Sequence, residues 1–168
     1  RFDVGQLDAL RALGFNMVQL NIAWGTRGND EPLNLEDLFG SKRFPADERE
    51  AGWLREMQRR ARATKAAGFR VLFHAGIPQL TSVKDPDRAK RMSEAREDGS
   101  VCIQSEEVRE HYSALIGQLA EAIPEVDDFL VYTYDQDAWL CSDFGRCERC
   151  RGVPLHVRLP GFLTWLRD

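Results

Sequence analysis

The sequence lacks any apolar run that approaches the ~18 residues of a membrane span. It lacks a large excess of either charge. Its 23 Lys and Arg stand against 27 Asp and Glu, a net charge of -4, which leaves no electrostatic footprint for nucleic acid. No Gly-rich phosphate loop and no Ser-His-Asp order is present. Cysteine is scarce and clustered: Cys102, Cys141, Cys147 and Cys150, the last three within ten residues. That grouping excludes a disulfide framework spread over the chain. Apolar residues are not scarce. At 43% hydrophobic and 30% charged, the 168 residues exclude the disordered class and suit a globular domain. The chain begins at Arg1 with no apolar leader, so it is expected to be an excerpt of a longer protein.

What is present alternates between helix and strand. A helix is expected over 3–13, with Leu7, Leu10, Ala12 and Leu13 on one side. Asp3 and Gln6 are spaced as a capping box, and Gly14 supplies the left-handed stop. The short apolar run 15–22 reads as a strand. A second helix is expected over 46–67, opened by Pro45 and closed by Gly68, followed by a strand near 70–74. On that helix Arg55, Arg59, Arg60, Arg62 and Lys65 read as a solvated outer face interleaved with Glu50 and Glu56. A third helix over 105–123 leads past Pro124 to a strand near 129–135. A last apolar helix is expected near 159–166. The stretch 75–104 reads as a long connection broken at Asp85-Pro86.

Arg11-Ala12-Leu13-Gly14-Phe15-Asn16-Met17-Val18 is echoed by Lys65-Ala66-Ala67-Gly68-Phe69-Arg70-Val71-Leu72. Both are a helix end, a glycine stop and a strand. Three such units with near-continuous apolar strands imply an α/β fold with parallel strands covered by helices. The joints into the strands are tight and the polar segments all follow strands, which is the asymmetry of a (β/α)8 (TIM) barrel. A whole barrel needs roughly 250 residues, so 1–168 is expected to be one segment of a larger barrel, with a Cys-rich loop at 139–156. The remainder of the barrel would be its partner. The competing architecture is a small three-layer open α/β domain.

Residues able to carry chemistry gather after the expected strands. Thr133, Asp135 and Asp137 alternate along the end of the third strand and so share a face. Two carboxylates at a barrel mouth are what glycosidic bond cleavage needs, one protonated and one ionised. The competing role for Asp135 and Asp137 is to cap the strand and hold loop amides. Trp24, Tyr132, Tyr134 and Trp139 offer flat faces for sugar rings. Gln19 and Asn21 are polar on an otherwise apolar first strand, either lining the mouth or bonding within it. His74 ends the second strand, as a packed histidine or as an acid or base. Together with Asp135 and Asp137 it also suits a metal-dependent hydrolase.

Cys141-x5-Cys147-x2-Cys150 has the spacing of a structural zinc site. The fourth ligand is His156, Cys102 or a residue beyond the chain. Disulfides or free thiols are the other readings.

In layout, nearly the whole chain resembles the catalytic barrel of the family 20 β-N-acetylhexosaminidases. Residues 7–22 are similar to that family's opening helix and strand, with Asn16 at its Lys-Met-Asn motif. Gly68-Phe69-Arg70-Val71-Leu72 through Pro78 resembles its second strand and following loop. Residues 105–134 resemble the long helix and the strand bearing its Asp-Glu pair. The resemblance implies a glycoside hydrolase acting on a carbohydrate, with no cofactor needed for catalysis. It places Asp135 at the Asp that orients the acetamido group. The family's general acid Glu is Gln136 here, its strand-end Glu is His74 and the Asp after that is Gly76. Its two first-strand His are Gln19 and Asn21. Asp137 is then the candidate acid, with Asn21, Trp24, His74, Tyr134, Gln136 and Trp139 as binding residues. A barrel that binds carbohydrate without cleaving it is the alternative.

Overall fold

A computed structural model of the protein describes residues 2–21, 35–41, 43–78, 83–93, 101–132 and 140–168. The fold is α/β. Its strands β1 (Met17–Gln19), β2 (Arg70–Gly76) and β3 (Asp128–Tyr132) form a three-stranded parallel sheet in the order β1-β2-β3. Among the described residues there are five α-helices: α1 (Leu7–Ala12), α2 (Glu48–Ala66), α3 (Pro86–Ser93), α4 (Glu106–Ala122) and α5 (Leu155–Arg167). None is long and apolar enough to cross a membrane. The chain forms two compact units, Arg1–Ala75 with Gln118–Tyr132, and Gly76–Gly117 with Thr133–Asp168.

The first unit holds the sheet. The two echoed segments behave alike, with Gly14 at φ +86° and Gly68 at φ +79°, each turning the chain from a helix toward a strand. β1 and β2 pair in the register Met17 to Arg70, Val18 to Val71 and Gln19 to Leu72, one residue away from the alignment of the two repeats, which matches Met17 with Val71. The third repeat has no such glycine. Asp127 does the joining instead: its carboxylate accepts from the Val71 N–H at 2.8 Å and pairs with Lys65 at 2.5 Å. Phe73 and Phe129 stack with centroids 6.0 Å apart. Val71, Phe73, Phe69, Met57, Ala61 and Ile123 are buried.

Helix starts differ in detail from the sequence reading. Asp3 accepts from Gly5 N–H at 2.9 Å at the head of a 3-10 turn, rather than forming a capping box with Gln6. The capping box lies instead on α2. Asp47 accepts from Glu50 N–H at 2.9 Å, and Glu50 accepts from Asp47 N–H at 2.8 Å. Asp85-Pro86 is a helix start rather than a break. Asp85 accepts from the N–H groups of Asp87 and Arg88, and Pro86 opens α3, where its missing N–H costs nothing. α5 begins four residues before its expected start and accommodates Pro160.

The basic run on α2 is not wholly an outer face. Arg60 is buried, with its Nε on Glu56 at 2.9 Å and an Nη donating to the Leu20 carbonyl at 2.8 Å. Arg59 holds Glu56 from the exposed side through two bonds. The Arg59 hydrogen bond, opposed by burial and reinforced by Arg60, draws the Glu56 carboxyl down to about 2. A carboxyl lowered on folding contributes stability above its ordinary value near 4.5, and that contribution is lost as pH falls toward 2. Arg60→Met leaves the Leu20 carbonyl unpaired. It is expected to cost about 2 kcal/mol at neutral pH by urea unfolding, and to flatten the loss of stability between pH 4.5 and 2. Unchanged stability in both regimes would show that water satisfies that carbonyl.

Candidate functional site

Two polar constellations stand out, one in each unit. The first lies at the carboxyl ends of the parallel strands. Asn21, two residues past β1, is buried and spends its whole side chain on the backbone of His74. Its Nδ2 donates to the His74 carbonyl at 2.7 Å, and its Oδ1 accepts from the His74 N–H at 3.1 Å. A carboxamide carries the same donor and acceptor as a peptide, so Asn21 continues the β1–β2 ladder where the strand itself stops. Of the two roles open to Asn21 from sequence, the structure shows bonding within the sheet end.

His74 is buried in β2. Burial holds its imidazole below its usual range, and so neutral at pH 7. Gln19 Nε2 lies 3.3 Å from His74 Nδ1 and also donates to the Asn21 carbonyl. The Tyr132 ring meets the imidazole edge-on, centroids 5.7 Å apart at 82°. His74 Nε2 is buried and has no hydrogen-bond partner among the described residues. Trp24, Tyr134, Asp135, Gln136, Asp137 and Trp139 lie outside the described residues.

The second constellation is a cage of thiols. Cys102, Cys141, Cys147 and Cys150 are all buried, and their sulfurs lie within 4.8 Å of one another. Cys102 Sγ is 3.7 Å from Cys147 Sγ and 3.6 Å from Cys150 Sγ. A tetrahedral zinc with Zn–S near 2.3 Å sets its sulfurs about 3.8 Å apart, whereas a disulfide requires about 2.05 Å. The cage therefore fits a metal ion. His156 is exposed on α5 and lies outside the group, because the start of α5 turns it to solvent; Cys102 takes the fourth place.

Local structure delivers each sulfur. A parallel bridge pairs Val101 with Leu140, and the Cys141 N–H donates to the Val101 carbonyl at 3.1 Å. This brings Cys102 beside Cys141. The Cys102 carbonyl accepts from Ser105 N–H at 2.8 Å, in the turn just ahead of α4. Cys147 and Cys150 sit on a tight knuckle. The Cys147 carbonyl accepts from the N–H groups of Cys150 and Arg151, and Gly152 leaves the knuckle at φ +73°, a conformation that favours glycine.

The electrostatics favour a thiolate at Cys102 and oppose one at Cys150. A hydrogen bond from Cys141, opposed by burial and aided by the Gln104 backbone N–H, lowers Cys102 to about 4. Burial, then the charge on Cys102, pushes Cys150 up to about 12. A divalent ion removes that conflict by neutralising the sulfurs together. Such an ion on four thiolates would retain net negative charge, and the buried Arg158 guanidinium would offset part of it. Arg158 donates to the Cys141 carbonyl at 2.8 Å and to the Val153 carbonyl at 2.7 Å, and its charge favours the Cys150 thiolate. Sequence reading missed Arg158, which is one of many arginines until α5 folds against the knuckle.

No protein-family model, curated protein or solved structure matches the chain.

Proposed function

We propose that the protein is a segment of a (β/α)8 barrel that hydrolyses a glycosidic bond, with a structural zinc on Cys102, Cys141, Cys147 and Cys150. The observation that carries the hydrolase reading is the polar cluster of Gln19, Asn21, His74 and Tyr132 at the carboxyl ends of a parallel sheet. Parallel α/β proteins bind their ligands at that edge. Asp135 and Asp137 follow β3 by three and five residues, and Trp24, Tyr134 and Trp139 add aromatic faces to the same set of connections. In the proposed reaction one of the two acids protonates the departing glycosidic oxygen. The other remains ionised and either attacks the anomeric carbon or activates water. Gln136 binds a sugar hydroxyl through its amide. The remaining strands of the barrel come from the rest of the protein. Zinc cross-links the ends of the chain segments that bear the four thiols and takes no part in the reaction.

One observation favours a second reading, a carbohydrate-binding barrel without turnover. Gln19, Asn21, His74 and Tyr132, the described residues of the strand-end cluster, include no carboxylate. Release of aryl alcohol from a panel of aryl glycosides, measured beside calorimetric binding of the free sugars, separates the two. Turnover supports the hydrolase. Binding with no turnover supports the second reading, and neither binding nor turnover sinks both.

A further inference from the structure

We propose that His74 is a fixed neutral hydrogen-bond donor whose Nε2–H takes an acceptor oxygen of a bound carbohydrate at the carboxyl end of β2. The ligand rests on the carbohydrate reading above; the donor rests on hydrogen-bond chemistry alone.

The side-chain amide of Gln19 decides the tautomer. One end of it touches both the Asn21 carbonyl and His74 Nδ1. A backbone carbonyl can only accept, so that end is the NH2 group. Its two hydrogens serve the two contacts, and His74 Nδ1 must present its lone pair to the second. The single proton of a neutral imidazole is then on Nε2. An imidazolium would set a ring N–H against the amide N–H, and burial opposes the charge as well.

The ring has little freedom to escape this arrangement. Asn21 holds the His74 backbone on both its N–H and its carbonyl, and Tyr132 packs edge-on against the imidazole. His74 is 8% exposed, yet its Nε2 has no partner among the described residues. Buried donors are rarely left unpaired in folded proteins. A hydroxyl or ring oxygen of a sugar supplies the acceptor without adding a charge that the site would have to neutralise. Gln19 is thus a positioning residue, acting on the ligand through His74.

The test is long-range nitrogen–proton correlation NMR of the histidine-labelled protein, first alone and then with N-acetylglucosamine or glucose. The expected spectrum at neutral pH has a bare Nδ1 and a protonated Nε2, with Nε2 and its proton shifting as one of the sugars is added. Gln19→Glu replaces the donor with a carboxylate that needs a proton from Nδ1. It should move the ring to the Nδ1-protonated or doubly protonated form and weaken sugar binding by about tenfold. A role for Gln19 in packing alone would not change the tautomer. An Nδ1-protonated ring in the unaltered protein overturns the proposal. So does an Nε2 signal that ignores both sugars at saturating concentration. An Nε2 shift in a protein that cleaves no glycoside supports the donor while sinking the hydrolase reading.

Discussion

On the proposed zinc site, a strong chelator, or replacing Cys147 with Ser, is expected to lower the protein's stability by about 4 kcal/mol or more. That is the contribution of a site loaded at a thousand times its Kd, and structural tetrathiolate sites commonly bind more tightly still. The loss is large here because the four thiols form a buried cluster of their own. Without metal, the low-lying Cys102 and the raised Cys150 occupy the same cage in opposed states. The site also ties together stretches far apart in sequence, since Cys102 is 45 residues from Cys147 and 48 from Cys150. Two measurements decide it: metal analysis, expected to return about one zinc per chain, the one ion that four thiolates hold, and the thermal midpoint with and without chelator. Cys147→Ser should lose both the metal and the chelator response. His156→Ala should keep both, because His156 lies on the surface away from the sulfurs. A metal-free protein with four titratable thiols and an unchanged midpoint would refute the zinc site.

On the proposed hydrolase reading, Asp137→Asn is expected to lower glycoside turnover by about 10² to 10⁴, the usual contribution of a positioned proton donor or acceptor. Asp135→Asn should do the same. The substitution keeps size and hydrogen bonding but removes the ability to exchange a proton, so sugar affinity should change little. Asp135 and Asp137 lie outside the described residues; on the hydrolase reading, their spacing of two would set both carboxylates on one side if that stretch continues the strand. On that reading the two like charges would push their proton affinities apart, one acid staying protonated while its neighbour ionises. Turnover should therefore follow a bell-shaped pH profile, with one limb lost in each variant. Full activity in both variants would reassign the two Asp residues to holding the loop after β3 and would leave the hydrolase reading without its acids.

Much of the secondary structure was legible because it follows from local chemistry. Gly14 and Gly68 mark helix ends where the chain takes a positive φ, and the repeat they belong to pointed to parallel strands, though not to the register in which β1 and β2 pair. The apolar runs near 15–22, 70–74 and 129–135 pointed to the strands observed at 17–19, 70–76 and 128–132, and parallel pairing followed from the helices between them. Helix starts were less legible. Several residues near each start can accept from a free backbone N–H, and geometry chooses among them, as Asp47 and Glu50 show on α2.

By itself the sequence determined an α/β protein of parallel strands, a thiol-rich knuckle at Cys147 and Cys150, and polar residues at the strand ends. Only the tertiary structure decided how distant residues meet. It brought Cys102 rather than His156 to the sulfur cage, through the pairing of Val101 with Leu140. It buried Arg60 under Leu20 and Arg158 beside Cys141. It turned Asn21 inward onto the His74 backbone, and left His74 Nε2 with no partner among the described residues. The physical reason is range. Caps, stops and alternation act over four residues or so, and the chain carries them wherever it goes. A metal cage or a buried donor depends on which carbonyl or side chain arrives from 40 or more residues away, and only closing the fold brings those groups together.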